Sequence, residues 1–214
     1  MFRRCLSVLA AFGFVASGCY HSHQAVVQTA ALPPPPDPVV RHSKQLWLEL
    51  EPGVGSSQCV APERMRSLCF EDVDRALTGS LSRALWTSFP GVHELGFMDK
   101  PKPGDYVLHI DLRLDAAPPS AGGPGWAAVA TGQWHLSRDG KMLAGESVES
   151  RSRADFGYGR PLGVGAGEVV DAVAFHVGVL LGALPEATPD RPIPLPPVSA
   201  RALGGAPPRL VAGR

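Results

Sequence analysis

The four cysteines, Cys5, Cys19, Cys59 and Cys69, are the residues of this chain whose chemistry depends most on their surroundings. A thiol can be alkylated, can pair in a disulfide or can bind a metal as the thiolate. Cys59 and Cys69 lie close together in the sequence, and neither has a histidine near it to complete a zinc site. Cys5 and Cys19 lie instead at the two ends of an apolar N-terminal run.

That N-terminal run has the organisation of an export signal. Arg3 and Arg4 give a cationic start, and the uncharged stretch from Cys5 to Val15 follows. The stretch is well short of the ~20 apolar residues that a membrane-spanning helix needs. Small residues then precede a cysteine in the sequence Ala16-Ser17-Gly18-Cys19.

Ala16-Ser17-Gly18-Cys19 resembles the lipobox of bacterial lipoproteins. The resemblance implies a signal peptide over residues 1–18, cleavage between Gly18 and Cys19, and a diacylglyceryl group on the Cys19 thiol. The new amine of Cys19 would usually be acylated as well. Tyr20 stands where aspartate would favour retention in the inner membrane, which points to the outer membrane, facing the periplasm. The alternative is an ordinary secretory signal cut near Gly18, with Cys19 as a free thiol.

Export from the reducing cytosol predicts a disulfide between Cys59 and Cys69. A bridge that closes so short a loop stabilises the fold by about 2.5–3 kcal/mol in the loop-entropy estimate. Two buried free thiols, or half of a metal site, are the alternatives.

No other segment predicts catalysis, a metal or a cofactor. The sequence contains no G-x-S-x-G, H-E-x-x-H, Walker or C-x-x-C motif. His109 and Asp111 could do acid–base work on one strand face, but no nucleophile is indicated, and a wet sheet face explains them equally well. The glycine-rich stretch from Gly157 to Gly167 contains Arg160 and is predicted as a loop or turn, with a ligand or partner contact as the alternative. We therefore expect a protein that is not an enzyme.

Two proline-rich segments flank the predicted domain. Residues 19–43 contain Pro33–Pro36, which favour an extended polyproline II rod, and are predicted as a lipidated N-terminus and tether. Residues 185–214 are predicted as a disordered tail. Residues 44–184 then form one globular domain.

Apolar periodicity predicts the elements of that domain. Alternation predicts strands over 45–51, 106–114, 126–137 and 141–151, and a short strand is possible at 92–98. Three- and four-residue spacing predicts amphipathic helices over 70–88 and 167–184. The order β-α-(β)-β-β-β-α indicates an α+β two-layer sandwich, in which an antiparallel meander of four or five strands carries both helices on one face.

The balanced charge and the order of the predicted elements limit the classes of function that this chain can have. The chain has 20 Lys+Arg and 20 Asp+Glu, which does not suit a nucleic-acid partner. The strand Asp105–Leu114, the hairpin Trp126–Leu143 and the last helix resemble the auxiliary lipoproteins of ABC-type envelope transport systems. The resemblance implies a non-enzymatic adaptor that is anchored in the bilayer through Cys19 and bound to an envelope complex. Apart from the resemblance, Trp47 could mark a partner surface if it lies on the open sheet face, opposite the side of Leu46, Leu48 and Leu50. A small-molecule or lipid-binding module is the alternative.

Overall fold

A computed structural model describes residues 23–30, 40–62, 67–118, 125–153 and 160–185. Within these ranges the chain forms eight strands and two helices around one hydrophobic core, so the predicted α+β class is confirmed. The elements in chain order are β1 (His23–Val26), β2 (Leu46–Leu50), β3 (Ser57–Val60), β4 (Leu68–Glu71), α1 (Val73–Leu85), β5 (Val92–Glu94), β6 (Tyr106–Ala117), β7 (Ala127–Arg138), β8 (Lys141–Arg151) and α2 (Arg160–Ala183).

The larger sheet has five strands in the order β5-β2-β6-β7-β8. Strands β6, β7 and β8 form the predicted antiparallel meander. Strand β2 pairs parallel with both β5 and β6, so the expectation of a purely antiparallel sheet is wrong. The reason is topological: the chain leaves β2, passes through α1 and returns in the same direction, and parallel neighbours require such a crossover.

A second, three-stranded sheet has the order β1-β4-β3. Strand β1 lies in the predicted tether, and β3 and β4 lie between the predicted strand 45–51 and the first turn of the predicted helix 70–88. Strand β1 pairs parallel with β4, and Ala25 in β1 is fully buried. After the gap at residues 31–39, the Val40 amide donates to the Gly182 carbonyl, and His42 is buried against the rings of Phe89 and Tyr106. The described part of the predicted tether therefore belongs to the domain. Pro33–Pro36 lie outside the described residues.

Helix α1 begins at Val73 instead of residue 70, because the preceding residues pair as strand β4. Leu68, Cys69 and Phe70 are all buried there. Asp72 has the left-handed backbone conformation, with φ of 61°, and it turns the chain from the strand into the helix. Asp74 is the acidic residue in the first turn of α1, where its charge interacts favourably with the helix dipole.

Helix α2 begins at Arg160, so eight of the eleven residues of the glycine-rich stretch predicted as a loop are helical. Gly163 and Gly167 face the N-terminal segment at backbone contact. A Cβ on Gly163 would lie 2.0 Å from the Val26 carbonyl oxygen, and one on Gly167 would lie 1.8 Å from the Gln28 carbonyl oxygen. The Gln28 amide donates to the Gly163 carbonyl at 3.0 Å. These glycines weaken intrinsic helix propensity, but they let the two backbones touch.

The stretch Pro161–Ala183 of α2 is long and apolar enough to span a membrane, yet 67% of its most apolar part is buried inside the domain. Val169, Val173, Val177 and Leu181 in this helix join the core formed by the sheet and α1. Helix α2 is therefore the central core helix of the domain.

Gln58 joins the two sheets. Strand β2 pairs with β6 only as far as Ile110, so the next part of the β6 edge has no neighbouring strand, and Gln58 binds there. Its side-chain amide donates to the Leu112 carbonyl at 2.7 Å and accepts from the Leu114 amide at 2.8 Å. These are the backbone groups that a further strand would have paired. One side chain thus takes the place of a strand.

We expect Gln58→Ala to lower the free energy of unfolding by about 1–2 kcal/mol, because two partly buried backbone groups lose their partner. Urea denaturation of the purified protein measures the change. Gln133→Ala is the control, since Gln133 is exposed on β7 and should change stability by less than about 0.5 kcal/mol. Equal losses in the two variants would contradict the bridging role of Gln58.

Candidate functional site

The proposed lipidation and cleavage residues, Cys19 and Gly18, lie outside the described residues, as does the tail from residue 186. His23, four positions after Cys19, is the first described residue and the first of β1. Arg160 is the first residue of α2, and its side chain also lies outside the described part. The structure therefore fixes the position of His23, from which the chain leads back to Cys19.

Cys59 and Cys69 form the predicted disulfide. They stand directly opposite each other on the antiparallel strands β3 and β4. The bridge ties the middle strand of the small sheet to its outer strand, in a part of the fold where each strand has only four residues. It supports short strands whose pairing alone contributes little.

A cleft of about 470 Å³ opens where the small sheet meets the far end of β6 and the start of β7. Most of its lining is apolar, including Val60, Pro62, Ala117, Pro118, Trp126 and Val129. Asp115 and Thr131 are the polar side chains in the lining besides the Trp126 indole. We name this feature the end cleft. Its volume lies within the range of small-molecule sites, and it is partly open to solvent.

The face of the large sheet away from the helices carries a row of polar side chains on three neighbouring strands. His109 on β6 pairs with Glu49 of β2 on one side and with His135 of β7 on the other. The His109 Nδ1 lies 2.6 Å from Glu49 Oε2, and its ring stacks on that of His135 with centroids 4.2 Å apart. Ser137 Oγ lies 3.4 Å from His109 Nε2. We name these four residues the histidine row.

Partial burial, and then the charge of the neighbouring His109 imidazole, lower the pKa of His135, whereas Glu51 and Glu49 act in the opposite direction. His135 therefore binds a proton less readily than an isolated imidazole. Ser137, His109 and Glu49 stand in the order of a nucleophile, a base and an orienting acid. The Ser137 hydroxyl also lies 3.4 Å from the Val107 carbonyl oxygen, to which it can donate its hydrogen bond instead of to His109. Sequence patterns did not indicate Glu49 or Ser137, because only strand register brings them to His109.

Trp47 lies on this open face, as its predicted partner role requires, and it is half-buried. Its indole N–H donates to Asp105 Oδ2 at 3.1 Å, and its ring lies 5.2 Å from the ring of His93. Because β5 and β6 both run parallel to β2 on either side of it, residues 95–105 must cross β2, and Asp105 ends that crossing. Trp47 fixes this crossing. Its role as a partner contact stays a prediction.

Among the described residues, no group of three or more histidine, cysteine, aspartate or glutamate side chains is arranged to hold a metal ion. Helix α2 instead carries a polar pair toward the sheet: His176 Nε2 contacts Glu146 Oε1 of β8 in a short hydrogen bond. Both side chains are mostly buried, so this pair fastens α2 to the meander.

These features define an α+β domain with two mixed sheets, an apolar end cleft and a polar open sheet face. No family model matches the sequence, and no curated protein matches it. The structure is similar to that of protein XCC0632 from Xanthomonas campestris, of family DUF330, with a TM-score of 0.47, 15% identity, and coverage of 74% of this chain and 93% of that one. It is also similar to a minor lipoprotein from Acinetobacter baumannii, with a TM-score of 0.38, 11% identity, and coverage of 65% and 92%. At these values neither likeness assigns a function.

Proposed function

We propose that this chain is a bacterial envelope lipoprotein, anchored in a bilayer by acyl chains on Cys19. The observation that carries the proposal is the order of four features: a cationic start, an apolar run too short to span, two small residues, and then Cys19. Two or three chains on one residue anchor a protein stably, because each buried methylene contributes ~0.8 kcal/mol. The Cys59–Cys69 disulfide supports an address outside the reducing cytosol.

The anchored domain would act as a non-enzymatic adaptor for an envelope transport or assembly complex, at the periplasmic side of the outer membrane. A solid core supports this role, since the apolar side chains of α1, α2 and the large sheet form one packed cluster. The polar open face remains for contact with protein partners, and the fold elements that resemble transport auxiliary lipoproteins are present as β6, the β7–β8 hairpin and α2. The end cleft favours a second candidate, a lipid-binding module.

Replacement of Cys19 tests the anchor. We expect Cys19→Ser to move the protein from the membrane fraction to the soluble fraction and to abolish labelling with radioactive palmitate, because serine has no thiol to alkylate. The double variant Cys59→Ala/Cys69→Ala is the matched control and should keep both membrane binding and label. Continued labelling of Cys19→Ser, or an unmodified N-terminal mass in the natural protein, would contradict the proposal.

The adaptor role has its own test. We expect chemical crosslinking in intact membranes, followed by mass spectrometry, to join lysines of this chain to subunits of one transport or assembly complex. A lipid-bearing monomer without such subunits would instead favour the binding module.

An active-serine phosphonate probe tests whether the histidine row is catalytic. If the probe labels the protein and Ser137→Ala abolishes the labelling, a non-enzymatic function is contradicted.

A further inference from the structure

The described part of the N-terminal chain begins close to the end cleft. In the small sheet, His23 of β1 pairs with Leu68 of β4, and Leu68 pairs with Val60 of β3. The three residues therefore form one row across the sheet. Val60 is also part of the cleft lining. Since neighbouring strands lie about 4.8 Å apart, the first residue of β1 stands about 10 Å from this wall of the cleft.

The covalent distance from Cys19 to this row is short. Four peptide units separate Cys19 from His23, and a fully extended chain covers at most about 3.5 Å for each unit, or about 14 Å in all. His23 is held in place by β1 pairing and by its amide, which donates to the Ser67 carbonyl at 3.1 Å. A lipid chain attached to Cys19 therefore starts within about 14 Å of His23, which is within reach of the cleft.

We propose that the end cleft receives one of the acyl chains carried by Cys19. This inference rests on the proposed lipidation of Cys19. The cleft has the chemistry that an acyl chain requires, because valine, alanine, proline and tryptophan side chains form most of its wall. Transfer of one chain from the bilayer into the cleft exchanges one apolar environment for another and costs little free energy. A fully acylated Cys19 carries three chains, so two chains stay in the bilayer and keep the protein anchored.

The arrangement also determines how the domain is oriented. With so short a link, the end of the domain that carries β1, Val60 and Trp126 faces the bilayer. The opposite end, which holds the β7–β8 turn at Asp139 and Gly140, faces away from it. A long, free tether would allow any orientation, whereas this link allows few.

Site-specific photocrosslinking on the full-length, membrane-purified protein tests the proposal. Val129 and Thr131 line the cleft, and Gln133 follows them on the same face of β7 but lies outside the lining. Each residue is replaced in turn by a photoreactive diazirine amino acid. After irradiation, mass spectrometry identifies the partner of each crosslink. We expect crosslinks from positions 129 and 131 to the acylated Cys19 peptide and only background from position 133.

Each outcome decides between the alternatives. Crosslinks from 129 and 131 to free phospholipid, without the Cys19 peptide, would overturn the proposal in favour of a cleft that binds bilayer lipid. Equal yields at all three positions would overturn the cleft as a site. The mass of the N-terminal peptide in the same sample separates the two levels of inference: without acyl mass the lipoprotein proposal fails, whereas with acyl mass and no cleft crosslink only the present inference fails. Because positions 129 and 131 are tested separately, the experiment still gives a result if one of the two variants misfolds.

Discussion

Replacing Gly167 by alanine is expected to destabilise the domain by about 3 kcal/mol or more, at the upper end of the range for overpacked sites. The added Cβ would lie 1.8 Å from the Gln28 carbonyl oxygen and 2.3 Å from its carbon. Both atoms belong to the backbone, so no side-chain rotation relieves the overlap, and the N-terminal segment must leave α2. Urea denaturation of the purified protein measures the loss as a lower midpoint.

Gly79 in helix α1 provides the matched control for this prediction. It is also a helical glycine, but the nearest atom to an added Cβ is the end of the flexible Arg83 side chain, at 3.7 Å. We expect Gly79→Ala to stabilise the protein by about 0.5–1 kcal/mol, because alanine has the higher helix propensity. The same substitution should thus have opposite signs in the two helices. A neutral Gly167→Ala variant would show that the N-terminal segment does not pack on α2.

The elements that the sequence predicts best are those with long, regular alternation. Strand β6 alternates buried and less buried residues over its whole length, and the turn at Asp139 and Gly140 joins β7 to β8. Such patterns arise because one face of the strand is buried and the other is exposed to solvent, so the local sequence is sufficient to predict the strand. The disulfide could also be predicted from local sequence, because two nearby cysteines behind a sequence that has the organisation of an export signal favour pairing.

The elements that the sequence does not predict depend on partners far along the chain. Strands β1, β3 and β4 have four residues each, too few for a pattern. Strand β1 pairs with β4, whose residues lie 45 positions further along the chain. The histidine row likewise depends on register between β2, β6 and β7. The glycines at the start of α2 could not be interpreted from the sequence alone. Glycine is common in loops, but it also occurs where a helix lies in close contact with another backbone.

The structure shows why these unpredicted features occur together. Gly163, Gly167 and Asp171 recur every four residues on α2, so they share one helix face. Gly163 accepts a hydrogen bond from Gln28, Gly167 permits contact with the same residue, and Asp171 accepts one from the Ala30 amide. One face of the core helix therefore holds the residues that follow the proposed anchor. Stability of the domain and position of the anchor depend on the same contacts.

Asp171 is the polar member of this face, and its loss should be the second large effect. It is 1% exposed, and its carboxylate accepts from the Ser80 hydroxyl at 2.6 Å and from the Ala30 amide at 2.8 Å. Arg83 approaches at 3.4 Å from α1. We expect Asp171→Ala to cost about 2–4 kcal/mol, because the hydroxyl and the amide lose their acceptor in a buried position. Asp171→Asn keeps an acceptor for Ala30 and should cost less in urea denaturation at pH 7.

The pH dependence of Asp171 distinguishes a buried carboxylate from a simple packing residue. Burial raises the pKa of Asp171, although the bonds from Ser80 and Ala30 and the charge of Arg83 oppose the rise. An unfolded aspartate titrates near pH 4. As pH rises from that value through the higher folded pKa, the unfolded chain releases its proton first, so wild-type stability falls relative to Asp171→Asn. We expect the difference between the two proteins to favour wild type most at low pH and to level off above the folded pKa. A difference that is constant with pH, or that moves toward wild type as pH rises, would show that the Asp171 pKa is not raised.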